Sequence, residues 1–189
     1  MRATKLAAAA AVLALVAAAC SSDDTQSATE ACAADQFGCV TYGAGEPIRI
    51  GTLLAISGNV AFLGNDSLNG IKLAIDNLDG TLDAKAGQLL GREVQLVNED
   101  DLCSKDGGQA GATKLVADSK IAAVIGTTCS SAALGVADKI FSDKGFVLIS
   151  PSNTNVNLTA EGSHQPFYLR TAHNDKIQGA VVSDFATQG

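Results

Sequence analysis

Aromatic residues and positive charges are both scarce in this sequence. Its 189 residues include no tryptophan, two tyrosines and six phenylalanines, which argues against the stacking platforms that bind sugars or single-stranded nucleic acid. Twenty acidic residues outnumber thirteen basic ones, so the formal net charge at pH 7 is −7. A chain of this charge is a poor partner for nucleic acid or for anionic lipid headgroups.

The sequence has one long hydrophobic run, and that run is too short to cross a membrane. Fourteen apolar residues from Leu6 to Ala19 follow the basic residues Arg2 and Lys5. A bilayer core of about 30 Å needs roughly 20 apolar residues. The run instead fits a secretory signal peptide over residues 1–19, which places the mature protein outside the cytoplasm.

The end of this run predicts a lipid anchor. The segment LVAAAC, which ends at Cys20 and precedes SSDD, resembles the bacterial lipobox. The resemblance implies that Cys20 is lipidated, with several acyl chains where stable anchoring needs two signals. An ordinary signal peptide with an incidental cysteine is the alternative. Residues 20–47 are rich in Ser, Thr, Asp, Ala and Gly and aperiodic, which predicts a flexible tether, with order beginning near Ile48.

The cysteines are odd in number, and the extracytoplasmic setting favours disulfides over metal binding. There are five, and lipidation of Cys20 leaves four, which allow three connectivities. The local connectivity pairs Cys32 with Cys39 and Cys103 with Cys129. No CxxC motif is present and the two histidines are distant in sequence, so we predict no metal centre and no cofactor.

From Ile48 onward, short apolar runs alternate with segments of helical periodicity. Strands that are apolar on consecutive residues are typical of a parallel sheet between helices. We therefore predict an open, mainly parallel α/β sheet with helices on both faces. The strands are PIRIGTLL, REVQLVNE, IAAVIGT, FVLIS and FYLRT. The helices cover Leu68 to Leu78 (N-cap at Asn65 or Asp66, Gly80 past the end), Ala112 to Val116, Ala133 to Ile140, and a stretch from about Asn174.

Three loops rich in Gly, Ser, Thr and Asn follow predicted strands: Ala55–Asp66, Thr127–Ser131 (TTCSS) and Ser150–Thr154. Ligands of open α/β sheets bind outside the carboxyl ends of the strands, so these loops are expected to meet there around a ligand. The amides at the start of the helix after Cys129 would stabilise a carboxylate. A helix cap would explain one hydroxyl, whereas TTCSS has five small polar residues in a row.

Catalysis is the rival use of the TTCSS loop. Ser130 or Cys129 would be the nucleophile, but the G-x-S-x-G pattern is absent, and neither His164 nor His173 lies in a motif typical of a general base. The acidic run NEDD, Asn98–Asp101, is more typical of a solvated strand end than of a metal site. We predict no catalytic residue, with a serine hydrolase that uses Ser130 as the alternative.

Four motifs stand in a fixed order between Ile48 and Gln178: SGNVAFLG, DDLC followed by IGTTCSS, ISPSNT followed by LT, and LRTAHNDKIQG. Together they resemble the first lobe of the periplasmic binding proteins for leucine, isoleucine and valine, which serve branched-chain amino-acid ABC importers. The resemblance implies a type I periplasmic binding protein lobe over residues 48–172. Residues 173–189 would begin the crossing into a second lobe.

The resemblance also implies a role for each loop. It implies a disulfide between Cys103 and Cys129 and contacts from Ser and Thr hydroxyls to the α-carboxylate and α-amino groups of the ligand. Where the family commonly has an aromatic ring, this sequence has a leucine, which suits an aliphatic ligand but also an amide or urea. The predicted ligand-binding residues are Leu63, Thr128, Ser130, Ser131, Ser152 and Thr154.

The function implied is that of an extracytoplasmic lipoprotein that binds a small solute, such as a branched-chain or other amino acid, and delivers it to ABC permease subunits. A module that senses an amide or amino acid and presents it to a receptor is the alternative. Both place the protein at the membrane through its lipid anchor, and neither involves nucleic acid.

Overall fold

The computed structural model of the chain describes residues 39–83 and 87–188. The predicted signal peptide, residues 1–19, lies outside these ranges, as do Cys20 and Cys32. Within the described ranges, no helix combines the length and the apolar character needed to cross a membrane.

Strands and helices alternate along the described part of the chain, as the sequence predicts. Two short 3₁₀ turns, Asn77–Asp79 and Val156–Leu158, follow α1 and precede β6. The elements are β1 Ile48–Leu54, α1 Ala61–Asp76, β2 Gln88–Leu89, β3 Arg92–Asp100, α2 Lys105–Val116, β4 Ile121–Gly126, α3 Ser130–Ala132, α4 Asp138–Asp143, β5 Leu148–Ser150, β6 Tyr168–Arg170 and α5 Asp175–Thr187.

The strands form one sheet in the order β2-β3-β1-β4-β5-β6. All neighbouring pairs are parallel except β2 with β3. The chain leaves β1 in one direction to reach β3 and then crosses back to reach β4. Right-handed crossovers in opposite directions place α1 and α2 on opposite faces, which confirms the predicted fold class. The strand order reverses beside β1, so a ligand is expected at the carboxyl ends of β1 and β4.

The core lies between the sheet and the helices α2 and α4. It is built from fully buried apolar side chains that the strands supply at alternate positions. Gly108 lets α2 approach the short helix α3, because a Cβ at this position would lie 2.0 Å from the carbonyl oxygen of Ala132. The core residues include Leu53, Leu115, Ile121, Val124, Phe141, Leu148 and Tyr168.

Residues 41–47 pack against the amino ends of the strands, so the prediction that the flexible tether extends to residue 47 is wrong. The hydroxyl of Tyr42 donates to the carbonyl of Lys120 at 2.8 Å, and Arg92 donates to three backbone carbonyls of the segment. The ammonium of Lys120 lies 2.9 Å from the carboxylate of Glu46, and this hydrogen bond lowers the pKa of Glu46. These contacts are polar and involve the backbone, so they leave no hydrophobic periodicity in the sequence.

Helix α1 begins earlier than predicted. Its N-cap is Val60, which makes no side-chain cap, and the expected cap residues Asn65 and Asp66 lie inside the helix. Backbone bonds in the preceding turn, from Ala61 to the carbonyl of Gly58 for example, start the helix without a capping side chain.

The helix predicted from Ala133 to Ile140 is broken. Leu134 and Gly135 have non-helical backbone angles, with φ of 69° at Gly135, so a single turn, α3, is separated from α4. The buried carboxylate of Asp138 accepts the N–H of Lys139 at 2.7 Å, and burial raises the pKa of Asp138. One turn has only a small dipole, so the predicted contribution of a helix N-terminus at Ser130 does not apply.

Helix α5 has no buried residue, although its sequence is amphipathic. Its N-cap is Asn174, whose side chain accepts the N–H of Ile177 at 3.1 Å. The large apolar side chains of this helix are more than half exposed and are Ile177, Val181, Val182 and Phe185.

Candidate ligand-binding site

The loops that follow β1, β4 and β5 meet at the carboxyl edge of the sheet, and we call them the rim loops (residues 55–60, 127–131 and 151–155). The N–H of Ala55 donates to the hydroxyl of Thr128 at 2.9 Å, which joins the first loop to the second. The hydroxyl of Ser152 donates to the carbonyl of Thr128 at 2.8 Å, which joins the third loop to the second. The strand order therefore brings all three loops together.

A buried asparagine fixes the joint between the second and third rim loops. The amide of Asn153, 1% exposed, donates to the carbonyls of Thr127 and Thr128 at 2.9 and 3.2 Å. Its oxygen accepts the hydroxyls of Thr127 and Tyr168, each at 3.1 Å. Burial raises the pKa of Tyr168 to about 12, so the phenol stays protonated and donates this hydrogen bond at neutral pH.

Asp101 ties the end of β3 to the loop after β4. It is fully buried, and its carboxylate accepts the N–H of Cys103 and the N–H of Thr128, both at 2.7 Å. Burial raises the pKa of Asp101, and the hydrogen bonds from the backbone act in the opposite direction. The prediction that the NEDD run is a solvated strand end is therefore wrong at Asp101.

The neighbouring carboxylate, Asp100, organises the first rim loop. It accepts the N–H of Ile56 at 3.2 Å and the N–H of Leu102 at 2.9 Å. Burial alone would raise the pKa of Asp100, but hydrogen bonds from Ser57 and from these two amides lower it. Among the described residues, no three His, Cys, Asp or Glu side chains are grouped so that they could hold a metal ion.

A disulfide locks the second rim loop to the start of α2. It joins Cys103 to Cys129 with a Cα–Cα distance of 5.0 Å, so Cys129 has no free thiol to act as a nucleophile. Cys39 is also disulfide-bonded, and Cys32, the partner predicted for it, lies outside the described residues.

Three of the predicted ligand-binding residues use their hydroxyls within the fold. The hydroxyl of Thr128, a residue 5% exposed, accepts from the N–H of Ala55. The hydroxyl of Ser152 donates to the carbonyl of Thr128, and that of Ser131 donates to the carbonyl of Cys103 at 3.1 Å. Ser131 and Ser152 use their hydroxyl protons in these bonds. Thr128 only accepts, but its burial keeps its hydroxyl away from a ligand on the rim.

Two predicted residues keep hydrogen-bonding capacity on the rim. The hydroxyl of Ser130 accepts the N–H of Asn155 at 3.2 Å, which leaves its own O–H group to donate. Neither the hydroxyl nor the N–H of Thr154 has a hydrogen-bond partner in the part of the chain that the structure describes. A ligand with an acceptor and a donor close together could use both.

An apolar pair lies in the first turn of α1, next to the first rim loop. Leu63, predicted to line the ligand pocket, is 46% exposed, and Phe62 next to it is 68% exposed. A Cβ at Gly64 would lie 2.0 Å from the carbonyl oxygen of Ala55, so the first turn of α1 rests directly on the first rim loop. Phe62 is not among the predicted ligand-binding residues, although an aromatic residue next to Leu63 in a chain with few aromatics is a signal in the sequence.

The geometry around Ser130 does not form a nucleophile–base pair. The ring of His164 contacts the carbonyl of Tyr168 at 2.8 Å, and the ring of His173 contacts the side chain of Gln178 at 3.0 Å. The rim instead offers hydroxyls and the N–H of Thr154, and exposed apolar side chains lie in the first turn of α1 against the first rim loop. This combination suits a small ligand with one polar end and one apolar end.

A parallel sheet with its order reversal beside β1, topped by a disulfide-locked polar rim, defines one lobe of a type I periplasmic binding protein. Residues 47–189 match the sequence pattern of the family described as periplasmic binding protein. The chain therefore belongs to the periplasmic binding protein family.

Relatives in this family are named for branched-chain amino acids. The chain is 35% identical over 147 residues to the leucine-specific-binding protein of Salmonella typhimurium, covering 77% of this chain and 37% of that protein. It is 34% identical over 140 residues to the Leu/Ile/Val-binding protein of Escherichia coli K12, covering 74% of this chain and 36% of that protein. The chain thus spans little more than a third of the length of these relatives.

Solved structures agree with the sequence comparison. The branched-chain amino acid transporter substrate binding protein of Streptococcus pneumoniae, in complex with isoleucine, is 30% identical with a TM-score of 0.65, covering 75% of this chain and 38% of that one. An ABC transporter substrate-binding protein of Desulfitobacterium hafniense, in complex with Leu, is 28% identical with a TM-score of 0.62, covering 76% and 40%.

Proposed function

We propose that this chain forms the first ligand-binding lobe of an extracytoplasmic protein that binds an aliphatic L-amino acid. The observation that carries the proposal is the pair of hydroxyls on Ser130 and Thr154. Both keep hydrogen-bonding capacity on a rim where Thr128, Ser131 and Ser152 are engaged in the fold. The relatives named for leucine, isoleucine and valine support the same ligand class.

Each part of an amino acid has a counterpart on the rim. The O–H of Ser130 donates to the α-carboxylate, and the N–H of Thr154 adds a second donor. The hydroxyl of Thr154 accepts from the α-ammonium group. Hydrogen bonds to charged groups are roughly twice as strong as neutral ones, so few are needed. The aliphatic side chain packs against Leu63 and Phe62, which are already exposed to receive it.

The lobe serves an ABC importer and is carried on a lipid anchor at Cys20. Because residues 41–47 are packed against the sheet, the free tether ends near residue 40 rather than at residue 47. The solved relatives are transporter substrate-binding proteins, which supports the importer role. Delivery to permease subunits, rather than catalysis, is then the use of the bound solute.

A panel of matched ligands tests this function. L-leucine, D-leucine, isovalerate and isopentylamine share a branched apolar group, but only the first presents both charged groups with L stereochemistry. We expect amide chemical shifts of the rim loops to titrate with L-leucine, L-isoleucine and L-valine, on the order of a millimolar affinity because one lobe leaves the ligand half solvated. Equal binding of isovalerate or isopentylamine would contradict an amino-acid site.

A further inference from the structure

Three consecutive carbonyls of the third rim loop are held by one short stretch of the chain that follows it. The guanidinium Nη1 of Arg170 donates to the carbonyl of Asn153 at 3.1 Å and to the carbonyl of Asn155 at 2.8 Å. The N–H of Asp175, at the start of α5, donates to the carbonyl of Thr154 between them at 2.9 Å. The loop is therefore held on both sides of Thr154 by residues 170–175.

The N–H groups on either side of Thr154 donate to serine hydroxyls. The N–H of Asn153 donates to the hydroxyl of Ser150 at 2.9 Å, and the N–H of Asn155 donates to the hydroxyl of Ser130 at 3.2 Å. Thr154 lies between these two fixed residues, and its own N–H and hydroxyl have no partner among the described residues. Its position is set by its neighbours, which leaves its polar groups available.

We propose that Arg170 is a positioning residue for Thr154, and that Arg170 and Asp175 couple the ligand loop to the segment leading into α5. This rests on the proposed function, because it assumes that Thr154 contacts the amino acid. A planar guanidinium presents its N–H groups in a fixed geometry, and Arg170 also bonds the hydroxyl of Thr159. An ammonium is a flexible point charge that cannot reproduce this arrangement.

The coupling works in both directions. A ligand on the hydroxyl and N–H of Thr154 stabilises the backbone orientation of this residue, whose carbonyl accepts the N–H of Asp175 at the start of α5. A displacement of the start of α5 would in turn move the Thr154 carbonyl. Linkage is reciprocal. If a shift in the position of α5 changes ligand affinity, then the bound ligand must change the equilibrium of that shift by the same factor.

A matched pair of arginine variants tests the positioning role. Arg92 also donates from Nη1 to two backbone carbonyls, those of Gly43 at 2.6 Å and Glu46 at 2.8 Å, at the opposite edge of the sheet. In titrations of L-leucine followed by amide chemical shifts, we expect Arg170→Lys to raise the Kd about fivefold or more, whereas Arg92→Lys changes it less than about twofold. Arg170→Met removes the charge and should weaken binding at least as much.

A double-mutant cycle separates positioning from general loss of stability. If Arg170 acts through Thr154, then Arg170→Lys should raise the Kd by a smaller factor in a Thr154→Ala background than in the unmodified chain, because only the backbone N–H contact remains to be positioned. Full additivity, or equal losses in Arg170→Lys and Arg92→Lys, would overturn the positioning role while leaving the proposed function intact. An unchanged Kd in Thr154→Ala alone would overturn the proposed ligand site, and the positioning role with it.

Hydrogen exchange tests the coupling to α5. Saturating L-leucine should slow exchange of the Asp175 amide by about threefold or more and leave the Ser183 amide, farther along the same helix, unchanged. In Arg170→Lys the effect on Asp175 should shrink. No change at Asp175, or equal slowing along all of α5, would show that the ligand loop and this helix are not coupled through Thr154.

Discussion

At the scale of single residues, the account depends on two hydroxyls. Ser130→Ala and Thr154→Ala should each weaken L-leucine binding by about 1.5 to 3 kcal/mol, the range for hydrogen bonds to charged groups. Thermal stability should change little, because Ser130 loses one hydrogen bond, to Asn155, and Thr154 loses none with the described residues. Ser119→Ala, at an exposed position before β4, is the control, and affinity should be unaffected.

Full affinity in the Ser130→Ala, Thr154→Ala double variant would show that the ligand binds elsewhere. A loss of affinity accompanied by an equal loss of stability would show that these hydroxyls hold the fold and not the ligand. Both quantities come from the same samples, by titration of L-leucine and by thermal unfolding.

The buried carboxylate of Asp101 should make the free energy of unfolding depend on pH. Asp101→Asn leaves one of the N–H groups of Cys103 and Thr128 without its acceptor, at a cost of about 1 to 3 kcal/mol. Burial raises the pKa of Asp101 in the folded state above its unfolded value of about 3.9. The contribution of Asp101 to the free energy of unfolding therefore falls as pH rises from the unfolded pKa through the folded pKa. The cost of the substitution should therefore be largest at acid pH and shrink toward neutral pH.

Asp100 serves as the control, because its pKa is shifted in the opposite direction to that of Asp101. Its pKa is lowered in the folded state, so its stabilisation is present at neutral pH and is lost as pH falls. Urea denaturation of Asp100→Asn and Asp101→Asn between pH 4 and pH 8 measures the free energy of unfolding of each variant. The loss of this free energy relative to the unmodified chain should change with pH in opposite directions in the two variants. Parallel trends would contradict the assignment of Asp101 as the buried carboxylate with a raised pKa.

The sequence predicts where polar residues gather but not which of them are already paired. Strand order alone is enough to bring Thr128, Ser130 and Ser152 to one edge. Whether a hydroxyl is engaged depends on a partner distant in the chain, as when Ala55 donates to Thr128 across 73 positions. Asn153 was missed for the same reason, because a buried, fully paired asparagine looks in sequence like any loop asparagine.

At the scale of elements, the disulfide is the strongest local constraint on the rim. It closes a loop with a sequence separation of 26 residues between Cys103 and Cys129. Replacing both cysteines with serine should lower the free energy of unfolding by about 3 to 4 kcal/mol on a chain-entropy estimate. Urea denaturation measures the loss, and peptide mapping without reductant that found Cys129 as a free thiol would contradict the pairing.

The broken helix after the second rim loop makes a second prediction about elements. Gly135 has φ of 69° with open space around it, so Gly135→Ala should destabilise the fold by about 1 to 2 kcal/mol through backbone strain alone. Gly179 lies inside α5 with equally open space, and Gly179→Ala should stabilise by about 0.5 to 1 kcal/mol. Thermal unfolding of both variants measures the two changes in stability, which should have opposite signs. A stabilising effect of Gly135→Ala would mean that α3 and α4 form one helix.

Strands were easier to predict than the elements around them. The five predicted strands have runs of apolar residues or, in REVQLVNE, apolar and polar residues in alternation, and these patterns need no tertiary information. The start of α1, the break at Leu134 and Gly135, and the short β2 were missed, because backbone bonds and a left-handed glycine set them. The packed segment of residues 41–47 was missed because its partners, Arg92 and Lys120, lie on other elements.

At the scale of the whole molecule, the two ends of the sheet carry different tasks. The rim loops occupy the carboxyl ends of the strands, and the segment that leads from the tether is held at the amino ends by Tyr42, Arg92 and Lys120. The described chain therefore enters the lobe at the end opposite the ligand edge. The net charge of −7 of the full chain disfavours direct contact between the chain and anionic headgroups.

The central claim is that an aliphatic L-amino acid binds at the carboxyl edge of this sheet. The most direct measurement is a map of amide chemical-shift changes as L-leucine is added to the chain. The account predicts that the changes concentrate in residues 127–131 and 151–155 and in the first turn of α1, and saturate together. Changes that concentrate at the amino ends of the strands, around residues 41–47, or the absence of any saturable change, would contradict it.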